Sequence, residues 1–133
     1  MSIQKQYQTY RNNAVNTASG GELTLMLYNG CIKFIKQAMK DMESARFEAK
    51  NSNIQKAQKI IQELMVTLDT DVVISQQMMP LYDYILHQLK EANIKNDPAF
   101  LEEALTYVTE FRDTWKQVIK QTRQSRYAQG RRV

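Results

Sequence analysis

Apolar residues recur at intervals of three and four along most of this chain, and no stretch of strand length alternates polar with apolar positions between turn signals. The pattern predicts helices throughout. On the first helix, Leu27, Cys31, Phe34, Ala38 and Met42 form one apolar line. Leu25, Tyr28, Ile32, Ile35 and Met39 form another beside it, and with Leu23 the two lines span roughly 200° of the circumference. A second helix carries Ile54, Ala57, Ile61, Leu64 and Leu68, and a third carries Met78, Tyr82, Ile85, Leu89 and Ala92 on one face. The fourth carries Leu101, Ala104, Val108, Phe111, Trp115 and Val118.

Punctuation residues set the expected ends. Ser19-Gly20-Gly21-Glu22 has the S-x-x-E form of a capping box, which starts the first helix near Glu22; it runs to about Ala45. The second is read from Asn53 to Thr70. The third starts at Met78 or Met79, with Pro80 in its first turn, and ends between Asn93 and Asn96. Asp97 can cap the fourth, with Pro98 at its first position, and the helix is expected to fade after about Thr122. At 1.5 Å per residue such helices are about 25 to 38 Å long, suited to lying side by side, and their short links favour antiparallel neighbours. The expected fold is an all-α, antiparallel up-down-up-down four-helix bundle forming a single domain over residues 1–133. Residues 1–18 form an N-terminal arm and residues 123–133 a basic, mobile tail.

Charge refines this picture at one end only. The net charge is +4, but no acid follows Asp113, so residues 116–133 contribute +6 through Lys116, Lys120, Arg123, Arg126, Arg131 and Arg132, and the rest carries −2. Such a tail raises nucleic-acid binding as an alternative function; the ordinary reading is a solvated helix end, where basic side chains complement the dipole. The N-terminus lacks the apolar core of a secretory signal, and no run approaches the roughly 20 apolar residues of a membrane span. A cytoplasmic protein without membrane insertion is expected.

Candidate chemistry is sparse. With one His, one Cys and no Gly-rich phosphate loop, the sequence predicts no enzyme, no metal site and no cofactor. Cys31 reads as a buried structural thiol and His87 as a surface or boundary residue. Glu102 and Glu103 occupy the first turn of the fourth helix, where negative charge is favourable. They point in different directions and form no acid/base pair.

What stands out is apolar surface. The first helix carries a wider apolar face than a small bundle requires, and six internal methionines offer side chains that repack against varied partners, although core packing explains many of them equally well. In the arm, Ile3, Tyr7, Tyr10 and Val15 bring apolar bodies into a polar segment. Each contributes about 1.5 to 3 kcal/mol on burial before ordering entropy is subtracted, so the arm would dock only marginally and a competing peptide could displace it.

Tyr7-Gln8-Thr9-Tyr10, Val15-Asn16-Thr17-Ala18-Ser19 and Glu22-Leu23-Thr24-Leu25-Met26-Leu27-Tyr28-Asn29-Gly30-Cys31 together resemble the N-terminal signature of the flagellar export chaperone family FliS. The resemblance continues through Ala57–Leu64, Leu81-Tyr82-Asp83-Tyr84-Ile85 and Phe111-Arg112-Asp113-Thr114-Trp115-Lys116. It implies a bundle that binds the disordered C-terminal segment of flagellin, prevents premature filament assembly and helps deliver it to the type III export gate. It further implies that Tyr7 and Tyr10 belong to an arm that covers part of the client surface or docks on the gate component FlhA. Gly20-Gly21 stands where many relatives have proline, which implies a looser hinge. On that reading the candidate client contacts are Leu25, Tyr28, Ile32 and Met39, with Met65, Val72, Met78 and Met79 near the second connection.

Overall fold

The structure, a computed structural model, describes residues 20–68 and 73–131. Its helices are α1 (Gly20–Glu43), α2 (Phe47–Val66), α3 (Val73–Lys95) and α4 (Pro98–Arg131). Each packs on the one before it, and α4 returns against α1. Side-chain pairings fix the direction: Asp41 meets Asn53 and Cys31 meets Ala57, so one number rises as the other falls and the two helices run antiparallel. The expected four-helix bundle is what the chain forms. The predicted arm, the capping residue Ser19, and Thr70 and Val72 lie outside the described residues.

Local chemistry explains the turns. After Glu43, the Arg46 N–H donates to the Asp41 carbonyl at 2.8 Å and the Ala45 N–H to Met42 at 3.2 Å, the paired bonds of a Schellman stop. Ala45 itself has φ 57°, a left-handed position usually given to glycine. An L-residue there costs about 1–2 kcal/mol, partly offset by the greater unfolded-chain freedom that glycine would bring. Ala45→Gly is therefore expected to stabilise the protein by about 0.5–1 kcal/mol, read as a higher urea midpoint with an unchanged slope. At the α3–α4 turn, Asn96 adopts φ 52°. Asp97 then caps α4 as expected, its Oδ1 accepting from the Ala99 N–H at 2.9 Å.

Three boundaries differ most from the sequence reading; α2 also stops at Val66, short of Thr70, and the ends of α1 shift by two residues. α2 begins at Phe47 rather than Asn53, because the Schellman stop lets the chain re-enter a helix at once through Glu48, Ala49 and Lys50, all good helix formers. α3 begins at Val73, which places Pro80 inside the helix instead of in its first turn. Pro80 faces outward, so the helix loses one backbone bond on its solvent side, where the cost is least. α4 continues past Thr122 to Arg131, since Arg, Gln and Ala sustain a helix and the end of the hydrophobic stripe does not itself break one.

The core is apolar and continuous, built from Leu27, Ile35, Ile61, Leu64, Ile85, Leu89, Leu101 and Val108 among others. Both lines of α1 enter it: Leu27, Cys31 and Ala38 from the first, Tyr28, Ile32 and Ile35 from the second. α1 lies between α2 and α4, so its two flanks are covered by the bundle itself, and the apparent surplus of apolar face is largely absorbed.

Candidate functional site

Aromatic side chains of α1, α3 and α4 converge inside the bundle. The Tyr28 and Tyr82 hydroxyls hydrogen-bond to each other at 2.6 Å, spanning the diagonal between α1 and α3, and both residues are buried. The Phe111 ring lies 6.0 Å from Tyr82, edge to face, and 6.4 Å from Tyr28. Burial pushes both phenols above the usual tyrosine value, because an ionised oxygen here would be stripped of water. Tyr28 is thus an internal tie between helices, and Ile32 is buried beside it at 5% exposure. Neither is on the accessible surface. Cys31 is fully enclosed, its thiol near the Ala57 carbonyl at 3.9 Å and its pKa raised by burial, as befits a structural thiol.

Accessible apolar groups gather elsewhere. At the end of the bundle where α2 stops and α3 begins, Val66 is 77% and Val73 67% exposed, with Met65, Met78 and Met79 half-buried nearby in sequence. Met65 and Met78 also pack against the core. Of the other sequence candidates, Met39 is half-buried against the core, and Leu25 lies half-buried between α1 and α4.

A second apolar flank runs between α3 and α4. Tyr84 is exposed there, edge to face with Tyr107 at 5.7 Å, and Leu81 lies one turn before it on the same side of α3. The Tyr84 hydroxyl donates to Glu103, and Gln88 donates to the other Glu103 oxygen at 2.8 Å. Hydrogen bonding to that carboxylate raises the Tyr84 phenol above its ordinary value. Sequence reasoning missed Val66, Val73, Leu81 and Tyr84, and it gave Glu103 only a dipole role. The available signal was the spacing of Leu81, Tyr84 and Gln88, which marks a helical stripe beside the core face.

At the opposite end, Lys50 is 2% exposed, its ammonium donating to the Asn93 carbonyl at 3.2 Å and to the Asn96 side chain. Asp41, also buried, accepts from Asn53 at 2.7 Å and Gln37 at 3.0 Å. These polar groups tie the ends of α1, α2 and α3 together and expose no reactive centre. His87 is exposed on α3. Among the described residues, no helix is long and apolar enough to cross a membrane.

A family described as flagellar protein FliS matches residues 3–122. The chain is 52% identical over 130 residues to the flagellar secretion chaperone FliS of Bacillus subtilis, covering 98% of each protein. It is 31% identical over 108 residues to the flagellar secretion chaperone FliS of Escherichia coli, covering 79% of each. The fold matches a solved bacterial flagellar chaperone with a TM-score of 0.72 at 16% identity, over 90% of this chain and 99% of the other.

Proposed function

The chain belongs to the flagellar protein FliS family, and from that premise we propose that it binds the C-terminal segment of flagellin in the cytoplasm, keeps it from polymerising and brings it to the export-gate component FlhA. The observation that carries this reading is the set of apolar side chains left at the α2–α3 end, with Val66 and Val73 mostly exposed beside Met65, Met78 and Met79. A disordered client gains free energy by folding apolar anchors against such a surface, and flexible thioethers adapt to their shapes. No nucleotide or metal is needed for that exchange. Ile3, Tyr7, Tyr10 and Val15 of the arm are proposed to cover client surface in the free chaperone or to dock on FlhA. A Tyr10→Ala variant separates these roles: tighter flagellin binding identifies a competing arm, and loss of FlhA binding alone identifies a gate contact.

Titration of the full chain with the C-terminal segment of flagellin tests the reading by calorimetry and circular dichroism. The expected result is saturable binding with a gain of peptide helicity and a negative heat-capacity change. In Val66→Asp/Met79→Asp the affinity is expected to fall about tenfold or more, since new charges would lose water on contact. Absence of binding at high peptide concentration, or a variant that binds as well as the parent, overturns the proposal.

A further inference from the structure

On the α1–α4 face of the bundle, which turns away from the α2–α3 face but reaches the same end of the bundle, α4 and α1 leave a groove of about 310 Å³ lined by Leu25, Lys116, Ile119, Lys120, Arg123 and Gln124. Its apolar floor is Leu25 from α1 and Ile119 from α4, both half-buried. Lys116, Lys120 and Arg123 are exposed along its rim and stand at i, i+4 and i+7 on a single stripe of α4, about 10 Å long. Arg123 is ion-paired with Glu22 of α1, and among the described residues lining the groove there are three cations and no acid. No acid follows Asp113 to dilute the field.

We propose that this groove is a second docking site, which takes an acidic helical segment of another protein while the flagellin segment occupies the α2–α3 face. Carboxylates three and four residues apart on one helix face would match the lysine and arginine stripe, and an apolar side chain between them would seat on Leu25 and Ile119. Charge excludes the chain's own arm as the preferred occupant: residues 1–19 carry Lys5 and Arg11 and no acid. The site also differs from a nucleic-acid surface. Its cations follow one narrow stripe over an apolar floor, and among the described residues no aromatic ring for base stacking lines it.

The test is fluorescence anisotropy with a labelled amphipathic peptide of about twelve residues, bearing glutamates at helical i, i+4 and i+7 spacing and a leucine at i+3. It is added to the full chain alone and to the chain saturated with the flagellin segment. Saturable binding to both is expected, weakened about tenfold or more by Lys116→Glu/Lys120→Glu and regained when lysines replace the peptide's glutamates. The same variant is expected to keep its flagellin affinity and its thermal midpoint. Equal binding by a scrambled peptide of the same composition, equal binding by the variant, displacement by the flagellin segment, or preferential uptake of a double-stranded oligonucleotide each overturns the proposal. Failure of flagellin binding while the acidic peptide still binds would sink the function proposed above and leave this site standing.

Discussion

Lys50→Ala is expected to lower the unfolding free energy by about 3 kcal/mol and the Tm by about 10 °C. The lysine stem fills space inside the bundle, and its ammonium serves the Asn93 carbonyl in the last turn of α3 and the Asn96 side chain beyond it. Truncation removes the packing and both donated bonds together. Lys50→Met separates them, because methionine restores most of the volume and none of the charge. Burial already lowers the Lys50 pKa, which records the cost of keeping the ammonium there. The methionine variant is therefore expected to lose less than half as much stability as the alanine variant. Urea titrations of the three proteins measure both differences, and equal losses in the two variants would show that the bonds, rather than the packing, dominate.

The tyrosine pair gives the second large effect. Tyr82→Phe and Tyr28→Phe are each expected to cost about 1–2 kcal/mol, because each strands the other hydroxyl where water cannot reach it. Removing both hydroxyls leaves no orphan. The double variant is expected to be no less stable than either single, giving a coupling energy of about 1–2 kcal/mol in a double-mutant cycle. A pH series reads the same contact independently. Both phenols are raised in the folded chain, so their stabilisation is complete below the ordinary tyrosine value near 10 and is lost as pH climbs above it, where the unfolded chain ionises first. The double phenylalanine variant should show a shallower decline above pH ~10. Additive single effects with an unchanged alkaline limb would sink this account.

What the sequence disclosed depended on whether the cause was local. The start of α4 was legible because Asp97 and Pro98 carry their own stop-and-start chemistry. The start of α3 was misread through the same chemistry: Pro80 suits a first turn equally well, and only packing of the preceding turn, where Ser75 is buried, decides otherwise. Ala45 gave no sign of a left-handed turn, since glycine is the usual marker. Burial of Lys50 depends on acceptors more than forty positions away, which periodicity does not detect. At the candidate surface, Met65, Met78 and Met79 were legible as adaptable apolar groups. Tyr28 and Tyr84 were not separable, because one faces a tyrosine across the bundle and the other a glutamate on its flank.

The return of α4 onto α1 has a kinetic consequence. Three of the four helix interfaces join neighbours along the chain, whereas this one pairs residues such as Trp115 and Gly21, whose indole N–H and carbonyl meet at 2.7 Å across nearly the full helical span. Its formation closes the longest loop and carries the largest entropic penalty per contact. A circular permutant that links the end of α4 to the start of α1, with new termini between α2 and α3, makes that interface local. That rearrangement hands the long-range closure to the α2–α3 interface, so the permuted chain should keep the native packing while its folding nucleus shifts toward α1 and α4.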